Sequence, residues 1–216
     1  MKLPRRRLAW ALVSLALAAA CWVLFVPPKG PRSLRAFDPE RTAALEVDMW
    51  KAYYEDRHLI LFADLATLTH EQYHYTWYRA LRASLFLARA ASTFAKIRSD
   101  YEQVLPDLER AYAIARDWTG STFDPAAVAR AELAWWVARR DPDRNSPESV
   151  GALIAEENAL IYGVPRDRVL EASILRARAG RLRDEGGEHA DWATVAQLLM
   201  RSYRSLHQAV NAPPGG

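Results

Sequence analysis

A single cysteine, Cys21, in 216 residues leaves the chain no internal disulfide, so its folded part must be held by a packed core, for which about 180 residues suffice. Other things are scarce as well. There is no glycine-rich phosphate loop, no Gly-x-Ser-x-Gly elbow, no cysteine cluster and no serine set convincingly beside a histidine. The usual signatures of nucleotide binding and of serine or thiol catalysis are therefore missing. No segment shows sustained period-two alternation between strand-like boundaries, which excludes a sheet and predicts an all-α fold. The net charge of +3 comes from 29 Lys and Arg against 26 Asp and Glu. Lys2, Arg5, Arg6 and Arg7 supply four of those cations before the long apolar run, so the remainder is about neutral and carries no basic stripe. Nucleic acid is not an expected partner.

The one long uncharged run, residues 8–26, follows those four cations and is stopped by Pro27 and Pro28. As a helix it is roughly 28 Å long, about the thickness of a bilayer core. A cleavable signal peptide ending at Ala18-Ala19-Ala20 and a lipoprotein cut before Cys21 are both weakened by the apolar Trp22-Val23-Leu24-Phe25-Val26 beyond them. The preferred reading is an uncleaved single-pass signal-anchor in residues 1–26. It makes the membrane a partner through 8–26 and places the rest of the chain outside the cytoplasm, with the N-terminus inside.

Internal similarity organises the rest. Phe37-Asp38-Pro39 with Ala43, Glu46, Trp50 and Ala52 is answered by Phe123-Asp124-Pro125 with Ala129, Glu132, Trp136 and Ala138. Leu81, Ala83, Ser84, Arg89 and Ala90 are answered by Leu170, Ala172, Ser173, Arg178 and Ala179. Asp100, Tyr101, Val104, Leu108, Arg110 and Tyr112 are answered by Asp191, Trp192, Val195, Leu199, Arg201 and Tyr203. Such a pattern predicts an internal duplication: a linker at 27–36, one helical repeat at 37–120, a second at 121–210 and a flexible tail at 211–216. The two repeats form one domain, an internally duplicated helical bundle, with a short α-solenoid as the alternative. Asp-Pro and Ser-Pro pairs at 38–39, 124–125 and 146–147 mark helix starts, and Gly120, Gly163 and Gly186-Gly187 mark ends. The helices fall at 39–56, 59–73, 77–97 and 100–118, then at 125–140, 147–161, 166–184 and 191–210. The first two can fuse, and Pro106 should kink the fourth or mark its true start.

Two duplicated glutamates stand out. Glu46 lies among Ala43, Met49, Trp50 and Tyr53, and Glu132 among Val128, Ala129, Trp135 and Trp136. A carboxylate on an apolar face needs a partner. The expected partners are the duplicated Arg89 and Arg178, giving structural buried charge pairs that fix helix register. Two metal readings stand beside this. His70-Glu71-Gln72-Tyr73-His74 fits the His-Glu-x-x-His helix of zinc hydrolases, with His70 and His74 as ligands and Glu71 activating water. Glu46, Glu132, Glu71 and His74 resemble part of a ferritin-like di-iron carboxylate set. The zinc helix has no third ligand in view, the di-iron set lacks one, and only the glutamate of the motif recurs in the second repeat, at Glu157. The expected function is thus a membrane-anchored, non-enzymatic binding or scaffold module with a protein or envelope partner and no cofactor. The alternative is a zinc or iron enzyme.

Overall fold

A computed structural model of the chain describes residues 5–213. The described residues are all-α, without strands. Helix α1 spans Arg5–Phe25; α2 Pro39–Tyr54; α3 His58–Gln72; α4 Trp77–Lys96; α5 Leu105–Thr119; α6 Pro125–Arg140; α7 Pro147–Tyr162; α8 Arg166–Gly186; and α9 Trp192–Asn211.

The helix starts are built by capping. The Asp38 carboxylate accepts from the backbone N–H groups of Glu40 and Arg41 at 2.8 and 2.9 Å, and Asp124 accepts from that of Ala126 at 3.0 Å. Ser146 and Asp191 serve α7 and α9 in the same way. Each bond satisfies a donor the helix itself cannot use. Asp38→Ala and Asp124→Ala are each expected to cost about 1 kcal/mol, read as a lower urea midpoint at unchanged slope. Helices α2 and α3 do not fuse, because Asp56 turns the chain at φ 55°. Pro106 marks a true start. It sits in the first turn of α5, behind a short 3-10 turn at Tyr101–Val104. That turn follows Asp100, which adopts φ 54° and makes no side-chain cap bond.

From α2 onward each helix packs on the next, and α9 returns to pack on α2. Eight helices thus close a single-layer ring, whereas an open solenoid would leave its first and last helices apart. Alternating chain direction gives the ring two different ends. One carries the C-termini of α3, α5, α7 and α9 and is filled by a core that includes Phe37, Tyr75, Trp118, Phe123, Tyr162 and Val210. Arg35 crosses this end and donates to the carbonyls of Tyr162 and Val210, the latter at 2.7 Å. It thereby satisfies two helix C-termini where a cation is favoured. Helices α7 and α8 approach closely. A Cβ on Gly151 would come within 2.7 Å of Ile174 Cα, so Gly151→Ala must spread two helices and is expected to cost about 1–3 kcal/mol in a denaturant titration.

Among the described residues no helix is long and apolar enough to cross a membrane. This overturns the reading of residues 8–26 as a transmembrane signal-anchor, and with it the membrane as partner. The placement outside the cytoplasm and the cytoplasmic N-terminus rested on that anchor and fall with it. Helix α1 has 21 residues and opens on Arg5-Arg6-Arg7, so its first turn is cationic rather than apolar. The helix meets α4, where the Phe25 and Tyr78 rings lie 5.1 Å apart, and Trp10, Leu15 and Trp22 along it are exposed. The basic N-terminus at 1–4 and the tail at 214–216 lie outside the described residues.

Candidate functional site

The ring encloses a cavity of about 260 Å³ to whose wall all eight helices contribute. A second space of about 430 Å³ leads from it towards the end opposite Arg35. Glu46, Leu87, Glu132, Trp135 and Arg176 belong to the walls of both. The outer space is aromatic, with Trp50, Tyr53, Tyr54, Phe94 and Trp136 around it. At its rim Arg139 donates to Asp184 at 2.7 Å and to the Tyr54 hydroxyl at 3.1 Å, while that hydroxyl donates to Asp184 at 2.9 Å. These three bonds tie α2, α6 and α8 together at the mouth.

Four charged side chains reach the inner cavity: Glu46 from α2, Glu132 from α6, Glu157 from α7 and Arg176 from α8. Glu46 is 2% exposed. Its Oε1 accepts from Arg176 Nε at 3.1 Å and also from Nη2, and its Oε2 accepts from the Tyr203 hydroxyl at 2.6 Å. Burial works against the Arg176 cation, but the charge and hydrogen bond of Glu46, together with Tyr203 and Glu157, outweigh it and hold the guanidinium pKa above its ordinary value. Glu157 accepts from the Tyr112 hydroxyl at 2.8 Å and from Trp135 Nε1 at 2.6 Å. Glu132 is buried like Glu46, yet its Oε2 has no hydrogen-bond partner. Burial, followed by the charge of Glu157, pushes the Glu132 carboxyl up to about 8. Burial also raises Glu157, against the opposing Tyr112 hydrogen bond and the Arg176 charge. Two carboxyls this close in an apolar wall cannot both ionise cheaply, and they share a proton near neutral pH.

Both glutamates singled out in the sequence therefore face one cavity, but not with the arginines expected. Arg89 is on the surface beside Asp107 at 3.3 Å, and Arg178 is on the surface beside Glu148 at 3.1 Å. Their side chains are 56% and 53% exposed, which corrects their reading as buried partners. The residue that does the pairing, Arg176, was legible from helical spacing alone, because it lies on the face of α8 that carries the buried Val169, Ala172, Ser173, Ala179 and Gly180. In the sequence Glu157, Tyr112 and Tyr203 are marked only by the internal similarity, with no local signal that they reach one cavity.

The metal readings are corrected by geometry. Helix α3 ends at Gln72, and His74 lies beyond it at φ 54°, so His70 and His74 are not successive turns of one helix face. Nδ1 of His70 sits 2.7 Å from the carbonyl of Tyr75, and the ring stacks on Trp77 at 4.0 Å. His74 is packed against Gly30, where a Cβ would come within 2.0 Å of Nε2. The Glu71 carboxylate is taken by Arg41 at 2.8 Å. Among the described residues no three His, Cys, Asp or Glu side chains converge as a metal site, so the zinc and the di-iron sets do not assemble. What fold and site define together is a closed ring of eight helices with a charged, partly unsatisfied cavity at its centre. No family model matches the chain, and no curated protein or solved structure is significantly similar to it.

Proposed function

We propose that the ring is a small-molecule binding module built from two four-helix repeats, α2–α5 and α6–α9, and that it binds its ligand without turning it over. Several equivalent positions support the repeat. Ala43 and Ala129, Ala52 and Ala138, Ser84 and Ser173, and Leu108 and Leu199 are all buried, and α2 and α6 both have 16 residues behind an Asp-Pro start. An experimental structure in which 37–112 and 123–203 fail to superpose would end this part of the reading.

The observation that carries the binding reading is Glu132 Oε2, a buried acceptor without a donor on the wall of a cavity with an aromatic approach. A buried unsatisfied carboxylate oxygen costs a few kcal/mol, a cost that a ligand donor would remove. Pockets with apolar walls and a few converging polar groups are the usual form of a ligand site. A thermal-shift screen of small polar and aromatic compounds should give hits that raise Tm, and native mass spectrometry should recover them chemically unchanged. Leu65→Trp, which narrows the junction between the two spaces, should abolish these hits while leaving the helical circular dichroism intact. A screen without hits, or hits indifferent to Leu65→Trp, would sink the proposal. One observation favours a second reading: a carboxyl held near 8 in a cavity also suits a general acid or base. Recovery of altered compound would select that reading.

A further inference from the structure

The charges of the inner cavity do not balance. Three carboxyl groups, Glu46, Glu132 and Glu157, face one guanidinium, Arg176, which is spent on Glu46. The repeat shows where the imbalance arises. Arg176 on α8 reaches across α9 to Glu46 on α2. The same relation in the other half runs from α4 across α5 to Glu132 on α6. The α4 position equivalent to Arg176, at the offset that pairs Ala83 with Ala172, is Leu87. Leu87 lines both spaces, as Arg176 does. Tyr112, equivalent to Tyr203, is in place as well, although it donates to Glu157. One half of the ring therefore carries a cation and the other holds the matching carboxylate without one, where the inner cavity meets the aromatic outer space.

Resting on the binding reading above, we propose that the ligand is a small organic ammonium ion with an apolar or aromatic body, its N–H groups donating to Glu132 and its charge standing where Leu87 leaves no guanidinium. The chemistry on both sides of the site agrees with this. Glu132 offers a buried acceptor without a donor and, once it gives up its proton, a charge with no cation of its own beside it, while the rings of the outer space, Trp136 and Tyr53 among them, can face a cation and cover an apolar body. A carboxylate ligand would add a fourth acid to the cavity, and a neutral alcohol has no charge with which to replace that proton.

Binding of this kind must displace a proton. The groups facing Glu132 are Tyr112 from α5 and Glu157 from α7, the two helices that flank α6, together with Arg176 and Glu46 across the cavity. With the Glu132 carboxyl protonated below about 8, the ammonium ion trades places with that proton and the affinity rises with pH.

The test uses calorimetry on the full chain with three probes sharing one body: 2-phenylethylammonium, 2-phenylethanol and 3-phenylpropionate. The ammonium should bind at least about tenfold more tightly than the alcohol. It should release a proton, seen by varying the buffer's ionisation enthalpy, and should gain nearly tenfold in affinity from pH 6 to pH 7. Leu87→Arg supplies the missing cation and should lower ammonium affinity by at least about tenfold. Glu132→Gln should do the same and flatten the pH profile, which keeps the proposal testable if Leu87→Arg does not fold. Alcohol or carboxylate binding as tightly as the ammonium would overturn the cation assignment and leave the binding reading standing. Absence of binding by all three would remove both. Unchanged ammonium affinity in a folded Leu87→Arg or Glu132→Gln protein would also overturn the assignment.

Discussion

Replacing Arg176 by alanine is expected to lower the unfolding free energy by about 3–5 kcal/mol, the largest loss from any single charge in the chain. The magnitude follows from what is left behind. Glu46 stays 2% exposed, keeps the Tyr203 hydroxyl at 2.6 Å and loses both nitrogens that held Oε1. A carboxylate in that position must stay charged without compensation or take up a proton, and either outcome weighs against the folded state. Arg176 also lies 5.1 Å from the centre of the Trp135 ring, so packing is lost with the charge. The surface pairs provide the contrast. Arg41 with Glu71 and Arg178 with Glu148 are largely solvated, and Arg178→Ala should change stability by less than about 1 kcal/mol. Urea titrations of the two variants give the comparison directly. The double variant Glu46→Gln, Arg176→Met should recover most of the Arg176→Ala loss, because removing both partners leaves no orphaned charge. A double variant as unstable as Arg176→Ala alone would show that the guanidinium acts through packing and not through Glu46.

The arginines also show how far the sequence could be read. Arg89 and Arg178 recur at equivalent positions, and that recurrence made them the expected partners. Two residues along a helix is a turn of about 200°, however, so Arg178 points away from whatever Arg176 faces. Periodicity within α8 was the better guide, and the sequence recurrence was the poorer one, because Arg176, the residue that meets Glu46, is answered in the internal similarity by Leu87 and so carries no recurrence at all. Helix starts were readable because Asp38-Pro39, Asp124-Pro125 and Ser146-Pro147 act through local chemistry. Closure of α9 on α2 was not readable, since no local signal encodes which distant face a helix meets. The His70–His74 spacing failed for a related reason. The motif assumes an unbroken helix, and α3 stops at Gln72 with His74 in the left-handed region. The run at 8–26 misled because length and lack of charge do not by themselves make a helix that is long and apolar enough to cross a membrane.

Stability should fall as pH rises from about 5 to 8, and Glu132→Gln should remove much of that fall. The sign comes from the direction of the shift. In the folded chain burial and Glu157 raise the Glu132 carboxyl from 4.5 to about 8, whereas the unfolded chain gives up the same proton at its ordinary value. Between those limits the folded state binds more protons than the unfolded one, so each step up in pH favours unfolding. The contribution is fully present below the unfolded value and is lost progressively up to about 8. By pH 7 the loss is on the order of 3 kcal/mol. Glu157 shifts in the same direction, so the two titrate as a pair, and the slope belongs to both. Glutamine keeps the shape of the protonated acid without its titration. Near pH 5 the variant should therefore match the parent, and at pH 9 it should be the more stable of the two. Urea titrations at unit steps from pH 5 to 9 decide the matter. Parallel profiles would mean that Glu132 is ionised throughout, compensated by Arg176 from across the cavity, and the proton expected to leave on ligand binding would not exist. Convergence at low pH with divergence at high pH would locate that proton on the inner wall of the ring, at the carboxyl for which α4 supplies no cation.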